Sequence, residues 1–172
     1  TVSQTYSYEI RYKYFAYGLE NILNENSYKL KGITNGIDTK SYNPADDSFL
    51  PHLYDSNNLE GKKLCKARLQ KDTGLFENPD VPVVAIVSRL VSHKGLELIE
   101  WVADELSNQN LQLITLGTGD KRYEDLFRTL DYRYHGRVCA NIFFSQELAR
   151  RIYAGADFLL MPSKCEPCGL SQ

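Results

Sequence analysis

The chain has 172 residues, 42% hydrophobic and 24% charged, with a formal net charge of -2. That is enough apolar material for one core, and the near-balanced charge excludes a broad polyanion-binding surface, so nucleic acid is not an expected partner. The longest strongly apolar run, 81–87, falls far short of the roughly 18 residues that span a bilayer, so no membrane association is expected.

Residues 1–57 are rich in Tyr, Asn and Ser and show no clean period. From residue 58 onward the pattern becomes regular. A helix is predicted over 61–72, with Leu64, Ala67 and Leu69 as its apolar members and Gly74 at its end. The β-branched run 81–87 reads as a buried strand. Leu96, Ile99, Val102, Ala103 and Leu106 recur at helical spacing over 95–108. A second strand follows at 111–116, a helix at about 121–135, and a third strand at 138–144. Ser145 is a helix cap before Leu148, Ala149 and Ile152. A fourth strand is predicted at 157–161, with a further helix starting near 169. Strand and helix alternate, so the fold expected is α/β: a Rossmann-like parallel sheet with flanking helices, here cut short.

Ligands of such sheets bind at the carboxyl ends of the strands. That rule selects four segments. After the first strand, Arg89 and Lys94 flank a strand-to-helix turn. A guanidinium fork, an ammonium and a helix N-terminus suit a diphosphate, although two solvated loop charges read equally well. After the second, Gly117-Thr118-Gly119 lacks the third glycine of a dinucleotide fingerprint and reads best as a plain turn. At the end of the third, Phe144 is placed either to stack on a base or to pack in the core. Phe143 and Phe144 are expected on opposite faces, with at most one lining a site.

The fourth segment runs from Pro162 through Ser171. Its Cys165 and Cys168 have C-x-x-C spacing, but they follow a fourth strand rather than a first one, and no second Cys or His pair stands at metal-ligand spacing. The four cysteines are too few and too scattered for a disulfide scaffold, and a reducing compartment is the default. Glu166 is placed either to accept hydrogen bonds from sugar hydroxyls or to cap a helix. Gly169-Leu170-Ser171-Gln172 would form that helix's first turn. His52, His93 and His135 form no constellation and read as loop or surface residues. Trp101 reads as a packing residue.

Several runs, taken in order along the whole chain, resemble the bacterial glycogen synthases and plant starch synthases. They are Thr1-Val2-Ser3, Gly32-Ile33-Thr34-Asn35-Gly36-Ile37-Asp38, Ser88-Arg89-Leu90-Val91-Ser92-His93-Lys94-Gly95-Leu96, Leu116-Gly117-Thr118-Gly119-Asp120 and Ile152-Tyr153-Ala154-Gly155-Ala156-Asp157. The most specific is Met161-Pro162-Ser163 with Glu166-Pro167-Cys168-Gly169-Leu170-Ser171. The resemblance implies a two-domain GT-B glycosyltransferase. Such enzymes transfer glucose, with retention, from ADP-glucose (UDP-glucose in some) to the non-reducing end of an α-1,4-glucan, with no metal or cofactor. It also implies a cytoplasmic, bacterial-type location.

By the same resemblance, Arg89 and Lys94 hold the donor diphosphate and Glu166 acts at the transferred glucose. Phe144 stacks on the adenine. Ser88, Gly117 and Thr118, with the turn Cys168, Gly169, Leu170 and Ser171, complete the donor site. Residues 1–37 correspond to the tail of the N-terminal domain, 38–57 to the interdomain linker, and 58–172 to part of the C-terminal nucleotide-sugar-binding domain. Lys164-Cys165 departs from the family's usual Arg-Phe before the Glu-Pro-Cys run. The sugar-facing loop and His of the family's first domain have no counterpart here, so this segment alone is expected not to turn over. The alternatives are a non-catalytic nucleotide-binding remnant or a related GT-B transferase. The Cys of Glu-Pro-Cys, usually Phe in those relatives, weighs against the latter.

Overall fold

The computed structural model describes residues 1–171. The chain forms two compact units: residues 1–39 together with 165–171, and residues 40–164.

The first unit carries short helices, α1 (Gln4–Glu9), α2 (Lys13–Ala16) and α3 (Glu20–Glu25), and one 3-10 turn, Ser27–Lys29. Ser3 caps α1 by accepting the Tyr6 N–H at 2.9 Å. The chain leaves α2 through Tyr17, a non-glycine residue in the left-handed region at φ 50°. Asn24 then ties α3 back to the loop before α2, donating to the Arg11 carbonyl and accepting from Arg11 Nε. Tyr8, Tyr12, Tyr14, Tyr17 and Tyr28 all remain exposed. The lack of a clean period in this region has a physical reason: none of these helices is long enough to present a continuous apolar stripe.

The second unit holds α4 (Glu60–Thr73), β1 (Val83–Val87), α5 (Leu96–Asn108), β2 (Gln112–Leu116), α6 (Lys121–Arg133), β3 (Val138–Asn141), α7 (Gln146–Gly155) and β4 (Phe158–Leu159). The four strands are parallel in the order β3-β2-β1-β4. This is the expected Rossmann-like layer. The order reverses at β1, which is where such sheets open a binding crevice.

Side-chain alternation along the strands divides the core in two. Ile86 and Leu113 join Leu96, Ile99, Tyr123, Phe127 and Leu130 beneath α5 and α6. Val83, Ala85, Ile114 and Leu116 join Leu69 and Ile152 beneath α4 and α7. Burial on both faces is why β1 and β2 read as unbroken apolar runs.

Polar anchors fix the amino-terminal edge of the sheet. Asp157 accepts the Val83 N–H at 2.7 Å and pairs with Lys66 at 2.8 Å. Lys62 donates to the carbonyls of Tyr153, Ala154 and Ala156, satisfying the open C-terminus of α7. Burial pushes the Lys62 pKa down, against the upward pull of Asp157. A buried amide pair, Gln70 to Gln112 at 2.8 Å, fastens α4 to β2.

The structure corrects several expected details. On α4 the buried residues are Cys65, Lys66, Leu69 and Gln70, while Leu64 and Ala67 face out. Counting apolar residues misled there, because Lys66 and Gln70 bury their stems and find backbone acceptors at Pro79 and Asn78. Trp101 is not a packing residue: it is 85% exposed on the outer face of α5. The third strand ends at Asn141 rather than 144, and the fourth is confined to Phe158–Leu159. No helix opens at 169 among the described residues. Leu170 and Ser171 lie in a turn, and Gln172 lies outside the described residues.

Ser145 behaves as expected: its hydroxyl accepts the Leu148 N–H at 3.1 Å and caps α7. Ser145→Ala should lower stability by about 1 kcal/mol, measured as a shift in the urea midpoint with an unchanged slope.

Candidate functional site

A cleft of about 320 Å³ opens at the carboxyl edge of the sheet, wholly within the second unit. Its walls come from segments distant in sequence. The loop after β1 contributes Ser88 and Arg89, and the loop after β2 contributes Gly117 and Thr118. The loop after β3 contributes Phe143 and Phe144. The opening turns of α7 supply Gln146, Ala149, Arg150 and Tyr153, and Tyr42 comes from the segment before α4.

The β1 and β2 loops stay paired beyond the strand ends. Leu90 donates to the Thr118 carbonyl at 2.9 Å, and Asp120 donates to the Leu90 carbonyl at 2.8 Å. Such close approach requires glycine. A Cβ on Gly117 would lie 1.8 Å from the Ser88 carbonyl oxygen, and one on Gly119 would lie 2.2 Å from that of Leu90. The two glycines thus serve loop-to-loop contact. The Gly119 N–H is already bonded to the Glu124 carboxylate at 3.0 Å, which holds the Glu124 pKa below its ordinary value. This agrees with reading Gly117-Thr118-Gly119 as a turn.

Arg89 is exposed at the cleft. Phe144 is 84% exposed and Phe143 48% exposed, and both line the cleft. Strict strand alternation predicted that at most one would. Because β3 stops at Asn141, the period-2 rule does not apply to the two phenylalanines. The core-packing alternative for Phe144 fails because the ring is exposed.

Lys94 does not line this cleft. It closes a 3-10 turn, Ser92–Lys94, followed by Gly95 at φ 70°. That turn is fixed against the segment after β4. A Cβ on Gly95 would sit 2.0 Å from the Pro162 carbonyl oxygen, and the Lys164 N–H donates to the His93 carbonyl at 3.0 Å. The Lys164 ammonium pairs with Glu97 and holds that carboxyl below the usual range.

No protein-family model matches the chain. The glycogen synthases of Clostridium beijerinckii, Clostridium novyi and Kosmotoga olearia are 48%, 49% and 49% identical over 172 residues. Each match takes in all of this chain and 36% of the relative. The catalytic domain of starch synthase IV from Arabidopsis thaliana, bound to ADP and acarbose, superimposes with a TM-score of 0.92 at 36% identity. That match likewise covers the whole chain and 36% of the solved one.

The chain is homologous to the glycogen and starch synthases. It spans about a third of the length of these relatives. The family resemblance drawn from the motifs is thereby borne out.

The remaining synthase motif, Glu166 through Ser171, belongs to the first unit. Glu166 is half-buried, and its side chain lies over Gly169, where a Cβ would come within 2.9 Å of Glu166 Cγ. The glycine after Glu-Pro-Cys therefore makes room for the glutamate. Neither Cys165 nor Cys168 forms a disulfide. Among the described residues no three His, Cys, Asp or Glu side chains gather as a metal site, and no helix is long and apolar enough to cross a membrane. Burial pushes the other two thiols up, Cys65 above its ordinary value and Cys139 to about 11.

Residue-by-residue reading missed Tyr42, Arg150 and Tyr153 as wall residues of the cleft. Tyr42 precedes an Asn-Pro turn in a stretch with no period, and Arg150 sits one position from the apolar face of α7. Neither carries a local signal, because the cleft is assembled by tertiary contact.

Proposed function

We propose that this chain carries the donor-binding part of a glycogen (starch) synthase. The enzyme moves glucose from ADP-glucose, or UDP-glucose, to the non-reducing end of an α-1,4-glucan with retention. The observation that carries the proposal is the gathering of Ser88, Arg89, Gly117, Thr118 and Phe144 around one cleft, in a chain close to half identical to glycogen synthases. In this reading residues 1–37 close the N-terminal domain, 38–57 pass between domains and 58–172 hold the donor. The location is cytoplasmic.

The chemistry follows from charge. Breaking the glucosyl–phosphate bond leaves negative charge on the diphosphate and positive charge on the sugar ring. Arg89, as a planar fork, and Lys94, as a point charge, are assigned to the diphosphate. Donors fixed in advance are worth more than water there, because nothing reorganises as charge develops. Glu166 is assigned to the transferred glucose, and the backbone of Cys168 to Ser171 to its neighbouring phosphate. Phe144 offers an exposed ring to the base, which suits stacking.

Isothermal titration of the 172-residue chain with ADP and with UDP tests this reading. Saturable one-to-one binding of at least one of them is expected. A chain that unfolds cooperatively yet binds neither would refute the assignment.

A further inference from the structure

We infer that Tyr42 is a second aromatic contact for the nucleobase and that Arg150 is the residue that positions it. The inference rests on the donor-cleft reading and names part of its base-binding end. The cleft is chemically divided. The loops after β1 and β2 bring a cation, two hydroxyls and glycine backbone; Tyr42, Phe143, Phe144 and Tyr153 bring four rings. A nucleoside diphosphate has the same division.

Tyr42 is half exposed, yet its position is fixed. The Arg150 guanidinium lies 4.5 Å from its ring centroid and 5.2 Å from that of Phe49. Arg150 donates to Asp47 Oδ2 at 2.9 Å, and both of those side chains are largely buried. It also donates to the backbone carbonyl and the hydroxyl of Ser41, the residue before Tyr42. Next to it on α7, Arg151 donates to the Phe49 carbonyl at 3.1 Å. The segment 41–49 is thus clamped to α7 at both ends.

A buried ion pair adds little net stability, since desolvation offsets most of the attraction. What this one supplies is geometry. With its charge matched by Asp47, Arg150 is not a second phosphate ligand like Arg89. A ring held before the ligand arrives loses little entropy on stacking. Stacking on a base also tolerates adenine and uracil alike, since every base has a π-face.

Titration with ADP and with inorganic pyrophosphate, which has the phosphates but no base, separates the two ends of the cleft. Tyr42→Ala should weaken ADP about tenfold and leave pyrophosphate unchanged, while Tyr42→Phe stays near the wild type. Asp47→Asn and Arg150→Met, which loosen the clamp, should show a smaller loss with the same selectivity for ADP. If the wild type binds ADP but pyrophosphate too weakly to measure, the contrast between Tyr42→Ala and Tyr42→Phe decides. Unchanged ADP affinity in Tyr42→Ala, or equal loss of both probes, overturns the base contact while the donor-cleft reading stands. Loss in Tyr42→Ala with none in either folded clamp variant overturns the role of Arg150. A folded wild type that binds neither nucleotide removes both readings at once.

Discussion

Arg89→Ala should weaken ADP binding about 10- to 150-fold while leaving the fold intact. The range follows from about 1.5–3 kcal/mol for hydrogen bonds to a charged group, at 1.4 kcal/mol per factor of ten. Arg89 is exposed, so its removal opens no cavity and strands no buried partner. Arg89→Lys should recover only part of the loss, because an ammonium restores the charge and not the planar fork. Wild-type affinity should fall as salt rises, and the alanine variant should show a shallower dependence. Titrations at two ionic strengths give all three comparisons. A folded Arg89→Ala chain with wild-type ADP affinity would remove Arg89 from the site and with it the main support for a diphosphate cleft.

The elements of the sheet were legible where local pattern and tertiary environment agree. β1 and β2 are buried on both faces, so β-branched runs announced them. α5 and α6 each present an apolar stripe to one face of the sheet, and their helical period showed it. Legibility failed where partners came from elsewhere in the chain. The polar face of α4 is buried because carbonyls of the following loop receive Lys66 and Gln70. β3 stops early, and its last residue instead carries a bridging role: Asn141 accepts the Gly117 N–H at 3.1 Å and donates its side chain to the Thr115 carbonyl. Beyond that residue strand alternation no longer applies, and both phenylalanines line the cleft.

The candidate site divides in the same way. Topology alone pointed to the segments holding Ser88, Arg89, Gly117, Thr118 and Phe144, because it names the carboxyl ends of parallel strands, while their proposed roles came from the family resemblance. Tyr42 and Arg150 were not, since nothing in a sequence reports that residue 150 will seat residue 42. Lys94, five residues from Arg89, stands in the Ser92–Lys94 turn beside the segment after β4 and not among the residues lining the cleft, so its proposed role at the diphosphate rests on the family resemblance.

Gly117→Ala should be a severely damaging single-methyl change in the second unit, costing about 2–6 kcal/mol. Two costs add. Its φ of 155° lies at the margin of what L-residues adopt, and such strained positions cost about 1–3 kcal/mol. The new methyl would also meet the Ser88 carbonyl oxygen at 1.8 Å. That atom cannot yield alone, because the Ser88 N–H is bonded to the Leu116 carbonyl at 3.1 Å in the extension of the β1–β2 ladder. Overpacking of this kind costs about 1–3 kcal/mol more. Two other glycines separate the terms. Gly74, at φ 72° with nothing within 4 Å of a Cβ, isolates the conformational cost, so Gly74→Ala should lose only about 1–2 kcal/mol. Gly119 has an ordinary φ but a Leu90 carbonyl oxygen 2.2 Å from its Cβ site, and so isolates the steric cost. Urea midpoints for the three variants give the order directly. Because Ser88 and Gly117 both line the cleft, whatever Gly117→Ala protein remains folded should also bind ADP more weakly, whereas Gly74→Ala protein should not. Equal destabilisation by Gly117→Ala and Gly74→Ala would mean that the two loops are not held in the close contact that shapes this wall of the cleft.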